Sequence, residues 1–332
     1  MCLSEAKGMD INMIEVKNLT KYYGDHKAVN NLSFVIKDGT VCGFLGPNGA
    51  GKSTTMNMMT GCLSATEGTV SISDFDIFEN PVEAKKMIGY LPEQPPLYYE
   101  ETPKEYLRFV AEAKRIPRAS VPGEIERVME ETQISGVADR LIKNLSKGYK
   151  QRVGIAQTLL GNPKVIILDE PTVGLDPLQV VEIRDLIKSL GRKHTVILSS
   201  HILSEVQNMC DEILIIAKGN LIAYDTTENL EKMFLPKVTI EMVTDASEET
   251  SREILSGIHG VTVTECCAQE NDLLRIRMET SPGDDFTVRS VLSLRFAGKG
   301  KAVLKLDTVK ANLEEIFLEL TNEDEHGKEE AK

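Results

Sequence analysis

Nine consecutive residues, Gly46-Pro47-Asn48-Gly49-Ala50-Gly51-Lys52-Ser53-Thr54, carry the most specific chemistry in the sequence. Three glycines within six positions let a backbone wrap closely around an anion, because a side chain would hold the chain away and several turn positions favour φ > 0. The run follows an apolar segment, Val41–Leu45, and opens a helical pattern. Its amide hydrogens and the helix N-terminus therefore converge on phosphate. Lys52 is placed to reach β- and γ-phosphates, and the Ser53 hydroxyl to be a ligand for Mg²⁺. This loop implies a bound nucleoside triphosphate.

Phosphate binding alone does not separate a kinase, a GTPase, a helicase and a transport motor. Val165-Ile166-Ile167-Leu168-Asp169-Glu170 narrows the choice. Four apolar residues make a buried strand, and two acids emerge at its carboxyl end, where open α/β sheets place their ligands. Asp169 suits Mg²⁺, through water. Glu170 suits a general base that polarises the attacking water. A second apolar run, Thr195–Leu198, ends in Ser199-Ser200-His201, and a histidine there is placed to donate to a γ-phosphate whose charge shifts during transfer. Gln94, in Ile88-Gly89-Tyr90-Leu91-Pro92-Glu93-Gln94, offers a neutral amide that touches Mg²⁺ or the water without locking either.

These residues need a scaffold. Val41–Leu45, Val165–Leu168, Thr195–Leu198 and Glu212–Ile216 read as strands buried on both faces. Lys52–Thr60, Lys104–Ala113, Glu124–Gln133, Gly148–Leu160 and Leu178–Leu190 read as helices. The alternation predicts a largely parallel sheet covered on both sides, interrupted by a helical insertion at about 95–160. A second unit is expected over 236–321, with strands Lys237–Val243, Val261–Glu265, Leu273–Met278 and Ala302–Leu306 and helices Glu248–Ile258, Phe286–Phe296 and Ala311–Leu320. That order, β-α-β-β-α-β plus a terminal helix, suits a small ferredoxin-like α+β domain. Residues 322–332 read as an acidic, solvated tail and the first ten as a ragged leader.

The chain has 332 residues, enough for two domains, with 41% hydrophobic and 27% charged side chains. Its net charge is −13, and residues 236–332 contribute −8 of it, which argues against nucleic acid as a partner. No apolar run approaches the roughly 18 residues of a membrane span. The six cysteines, at 2, 42, 62, 210, 266 and 267, lack metal-ligand spacing and read as reduced cytosolic thiols.

Taken together, GPNGAGKST, Gln94, LSKGYKQRV at Leu145–Val153, VIILDEPTVGLDP at Val165–Pro177 and His201 resemble the ATP-binding cassette (ABC) family, in order and spacing, across roughly residues 13–235. The resemblance implies a P-loop NTPase cassette, α/β with a mostly parallel core sheet, an antiparallel N-terminal β subdomain and the helical insertion. It also implies that Ser146 and Gly148 start a helix whose amides cap the γ-phosphate held by an opposite subunit; a serine there is an ordinary N-cap as well. Asp176 matches the loop crossing that dimer interface, Tyr23 the aromatic that stacks on adenine, and Val29 a residue packed beside it. Where LSGGQ is usual, Lys147 and Tyr149 stand in LSKGY; Lys147 either adds positive charge near the partner's phosphates or points to solvent. LSKGYKQR is similar to bacterial exporter-class cassettes, including gliding-motility and multidrug export systems.

The family thus implies ATP and Mg²⁺ as cofactors and a homodimer, or a heterodimer with a similar subunit. It further implies a separately encoded membrane permease, and location at the cytoplasmic face of the membrane through that permease. Pro95-Pro96-Leu97-Tyr98-Tyr99 reads as part of the permease groove or as a loop packed on its own domain. The competing classes fit less well. Lys52 and Ser146 are 94 positions apart without heptads, unlike coiled-coil DNA-repair cassettes, and one nucleotide domain is unlike translation factors. A soluble regulatory or non-transport ABC ATPase is the alternative.

Overall fold

Runs of Val, Ile and Leu set the architecture, which a computed structural model describes for residues 12–234, 238–269, 273–281 and 284–309. The chain divides into two units between Thr227 and Glu228. In the first, the hairpin of β1 (Asn12–Tyr23) and β2 (His26–Lys37) precedes β3 (Val41–Leu45) and α1 (Lys52–Met59). Then come β4 (Glu67–Ile72), β5 (Phe75–Asp76), α2 (Pro81–Lys86) and β6 (Ile88–Leu91). Helices α3 (Pro103–Ala113), α4 (Val121–Glu131) and α5 (Lys147–Leu159) follow with no strand between them. The alternation then resumes with β7 (Val165–Leu168), α6 (Pro177–Gly191), β8 (Thr195–Ser200), α7 (Leu203–Met209), β9 (Glu212–Ala217) and β10 (Asn220–Thr226).

These strands form two sheets. One, ordered β2-β1-β4-β5, is antiparallel throughout. The other, β10-β9-β3-β8-β7-β6, is parallel except at β10. Every residue of β3, β7 and β8 is buried, as strands covered on both faces require. A core shared by the two sheets joins Ile14, Leu19 and Ile36 to Phe44, Met56 and Ile167. Parallel register aligns the carboxyl ends: Leu45 pairs with Ser200, Leu168 with Leu198 and Leu91 with Leu168. The residues that follow these strands are thereby gathered at one edge.

Helix ends differ modestly from the sequence pattern. The pattern predicts Glu124–Gln133, yet α4 starts at Val121 because Pro122, with its fixed φ, fits the first turn. It stops before Gln133, whose φ of 58° is left-handed. Strand β6 is short and carries Gly89, where a methyl group would come within 2.3 Å of the Thr158 carbonyl oxygen. Only glycine lets α5 lie that close to the sheet.

The second unit begins within α8 (Thr227–Phe234), whose first residue lies at the division, ahead of the expected start at 236. It comprises β11 (Val238–Thr244), α9 (Glu248–Ser256), β12 (Val261–Ala268), β13 (Leu274–Thr280), α10 (Asp285–Gly298) and β14 (Val303–Val309). The sheet order is β12-β13-β11-β14 with every neighbour antiparallel, the ferredoxin-like arrangement. Ile240, Met242, Ile276 and Met278 alternate onto the face that Ile254, Val288, Leu292 and Phe296 cover. On the sheet, Arg277 pairs with Glu241 and Glu265, and Lys305 with Glu241. The expected helix Ala311–Leu320, the tail 322–332, the leader and Lys237 lie outside the described residues. Among the described residues no helix is long and apolar enough to cross a membrane.

Candidate functional site

Gly46–Gly51 connects β3 to α1 at the gathered strand ends, and its glycines are structurally required. Gly49 and Gly51 have φ of 81° and 102°. A methyl group at Gly46 would meet the Ile216 carbonyl oxygen at 2.3 Å, and one at Gly51 the Ala28 carbonyl oxygen at 2.6 Å. Lys52 is only 6% exposed. Its ammonium donates to the carbonyl oxygens of Gly46 at 2.7 Å and Pro47 at 3.3 Å, and lies 3.4 Å from Glu170 Oε1. The cation is thus held over the loop by groups that a phosphate oxygen can replace. Ser53 and Thr54 line the same cleft.

Two acids at the end of β7 take different roles from their partners. Asp169 Oδ1 accepts from Ser53 Oγ at 3.2 Å and from Ser199 Oγ at 2.6 Å. Ser199 Oγ in turn accepts the backbone N–H of Glu170 at 2.7 Å. Glu170 has φ 47°, a left-handed conformation that costs a non-glycine residue about 1–2 kcal/mol. Its Oε2 lies 3.0 Å from His201 Nδ1. Ser53 and Asp169 present hard oxygen donors side by side, a donor set that fits Mg²⁺. Nearby, Tyr90 donates to Asn57 Oδ1 at 3.2 Å. Burial first, and the charge of Asp169 second, push that phenol above its ordinary range, so it stays a donor.

The cleft has a volume of about 470 Å³. Tyr23, half exposed, lines it with His26 and Ala28. Lys21 Nζ lies 5.6 Å from the Tyr23 ring centroid, while Tyr22 pairs with Lys27 instead. Two expected residues are placed elsewhere. Val29 is fully buried beside Gly51 in the core, since strand alternation turns Ala28, not Val29, to the cleft. Glu93 and Gln94 are both exposed, and of the two it is Glu93 that lines the cleft. The signal for Glu93 was the register: Leu91 pairs with Leu168, which sets residue 93 level with Glu170. Ser199, which positions both acids, and His26 carried no spacing signal.

Ser146, Gly148 and Asp176 lie apart from this cleft. Ser146 caps α5, accepting from the Tyr149 N–H at 3.3 Å, and Asp176 caps α6, accepting from the Gln179 N–H at 2.9 Å. The two helix starts are packed together. A methyl group at Gly148 would come within 2.9 Å of the Gln179 side chain, and one at Gly174 within 2.1 Å of Lys147 Nζ. Lys147 is exposed, and its Nζ reaches close to Gly174. One chain thus presents two separate halves of chemistry: a phosphate-binding cleft with its acids, and a pair of capped helix starts.

The chain is similar to known proteins over most of its length. A family model described as ABC transporter matches residues 29–173. The uncharacterized ABC transporter ATP-binding protein YhcH of Bacillus subtilis is 35% identical over 94% of this chain and 96% of its own length. The bacitracin transport ATP-binding protein BcrA of Bacillus licheniformis is 33% identical over 93% of this chain and 97% of its own. The linearmycin resistance ATP-binding protein LnrL of B. subtilis is 31% identical over 93% and 98%. Among solved structures, cbiO1 of Clostridium perfringens, part of the complex cbiONQ, aligns at TM-score 0.62 with 27% identity, covering 75% of this chain and 96% of that one. The dimeric post-hydrolysis cassette MJ0796, bound to ADP and Pi, aligns at TM-score 0.58 with 26% identity over 64% of this chain and 98% of that one.

Proposed function

Because this chain belongs to the ABC transporter family, as an ATP-binding subunit, we propose that it hydrolyses ATP between two copies, or between itself and a similar subunit, and so drives a separately encoded membrane permease. The observation that carries this reading is the separation of the two halves of the site. Lys52, Glu170 and His201 line one cleft, whereas Ser146 and Asp176 cap helices outside it. The second half completes the site only when another subunit supplies it.

In this reading the adenine stacks on Tyr23, and the amides of Gly49, Ala50, Gly51 and Thr54 with the Lys52 ammonium hold the phosphates. Ser53 and Asp169 would hold Mg²⁺, whose charge neutralises the phosphate oxygens. Glu170 Oε orients the attacking water and takes its proton. His201, hydrogen-bonded to Glu170 through Nδ1, turns its second ring nitrogen to the γ-phosphate. The amides at Ser146 and Gly148 of the other subunit cap that same group. ATP thereby joins the subunits and hydrolysis releases them.

Transport as the work performed is supported by the names of full-length relatives, a bacitracin transport protein and a linearmycin resistance protein. Export is the direction those names favour. The exposed aromatics Tyr98, Tyr99 and Phe109 on the helical insertion offer a surface for the permease, which would hold the protein at the membrane's cytoplasmic face. Steady-state phosphate release tests the enzymatic part. The intact chain with ATP and Mg²⁺ should turn over, and Glu170→Gln should slow it by about 10²–10⁴-fold while retaining nucleotide. Equal turnover by the two proteins would remove Glu170 from its role.

A further inference from the structure

Glu93 was not among the residues that the motifs marked, yet it lines the cleft together with the phosphate loop. Strand β6 runs parallel to β7, with Leu91 beside Leu168, and the Asp169 N–H donates to the Leu91 carbonyl oxygen at 2.9 Å. The chain then continues level with the two acids, so that residue 93 stands alongside residue 170. Pro95 turns away to pack on Gly154 of α5, where a methyl group would come within 3.2 Å of the proline ring. Gln94 leaves the cleft with that turn, and Leu97 is buried beyond it.

The charge balance of the cleft follows from this placement. Glu93 and Glu170 line it, and Asp169 lies immediately beneath, bonded to Ser53 Oγ. Among the described residues Lys52 is the one lysine or arginine lining the cleft, and its charge is already opposed by Glu170 at 3.4 Å. A triphosphate carries up to four negative charges into this surplus of carboxylate. A neutral amide at position 93 would leave one carboxylate fewer.

We propose that Glu93 is a specificity-determining residue that makes this cleft select metal-complexed over metal-free ATP. The proposal rests on the ATP-binding reading above. Free triphosphate is repelled by the three carboxylates, whereas a divalent cation brought in with the nucleotide turns the same charges into attraction. Nucleotide entry is then conditional on the metal before any hydrolysis takes place. The chemistry concerned is the charge of the nucleotide, so ATP and ADP are both subject to it.

The test is equilibrium binding of methylanthraniloyl-ATP to the full chain, measured in excess EDTA and in excess Mg²⁺. The quantity read is the ratio of the two dissociation constants. Glu93→Gln should lower that ratio by about tenfold, chiefly by tightening the metal-free complex, as expected for removing one nearby charge. Glu93→Asp should keep the ratio within about twofold of the unsubstituted chain, and Gln94→Ala likewise, on the scale of single-charge effects. An unchanged ratio in Glu93→Gln overturns the proposal, as does an equal shift in Gln94→Ala. Absence of binding in the unsubstituted chain under both conditions overturns the ATP-binding reading itself, a result distinguishable from the other two.

Discussion

Glu170, the residue proposed to activate water, holds a left-handed backbone with φ 47°. Strain of this kind persists only where surrounding contacts over-determine it, and here the contacts are few and specific. The Ser199 hydroxyl takes the Glu170 N–H and gives its proton to Asp169, while His201 holds the carboxylate. Ser199→Ala removes both bonds at a fully buried position and leaves the Glu170 N–H unpaired. We expect a loss of about 1–3 kcal/mol in stability. Because both acids lose their support, kcat should fall about 10–100-fold with KM for ATP nearly unchanged. A KM increase of the same size, with kcat intact, would assign Ser199 to binding instead. Much of this site was legible as residue types and spacing: the glycines, Lys52, Ser53 and the acids ending a buried strand. Ser199 was not, because a serine in an apolar run looks like any other strand residue until its partners are known. Gln94 is read from its amide chemistry and the family resemblance alone, whereas the β6–β7 register sets Glu93 level with Glu170 at the cleft.

At the level of elements, the parallel sheet works as a jig that brings four strand ends to one edge. Its helical cover is anchored from the far end of α5. Lys114 Nζ donates to the carbonyl oxygens of Gln157, Thr158 and Leu160, and Arg127 to that of Leu159, so α3 and α4 both hold the end of the helix that Ser146 begins. Cations at a helix C-terminus satisfy otherwise unpaired carbonyls and complement its dipole. Close approach of α5 to the sheet depends on Gly89. Gly89→Ala places a methyl group 2.3 Å from the Thr158 oxygen, which the backbone on both sides must yield to accommodate. We expect a loss of about 1–3 kcal/mol, read as a shifted urea midpoint without change in m. A midpoint equal to that of the unsubstituted chain would show that α5 is not held against β6. Short, continuously apolar strands such as β7 were readable from their composition, and amphipathic helices from periodicity. The two-residue β5 was not, nor was β6, whose apolar run Gly89 and Tyr90 interrupt.

For the whole molecule, the order βαββαβ in the second unit was legible because each strand alternates and each helix keeps its apolar stripe. Ile240, Met242, Ile276 and Met278 meet Leu292 and Phe296 as that pattern requires. What pattern alone did not supply is the charged network of Glu241, Arg277, Glu265 and Lys305, whose members belong to different strands. In the first unit the decisive feature is that Ser146 and Asp176 cap helices away from the cleft lined by Lys52, Glu170 and His201. On the proposed function, a complete site needs two subunits, joined by ATP. Each copy carries a net charge of −13, so association is to be measured at or above roughly 0.15 M salt, where the screening length is about 8 Å. The direct measurement is the solution mass of full-length Glu170→Gln by sedimentation. With ATP and Mg²⁺ it should be twice the monomer mass, returning to the monomer when nucleotide is removed or when Ser146→Arg is added. A species of single-chain mass that retains bound ATP at every protein concentration would contradict the two-subunit site.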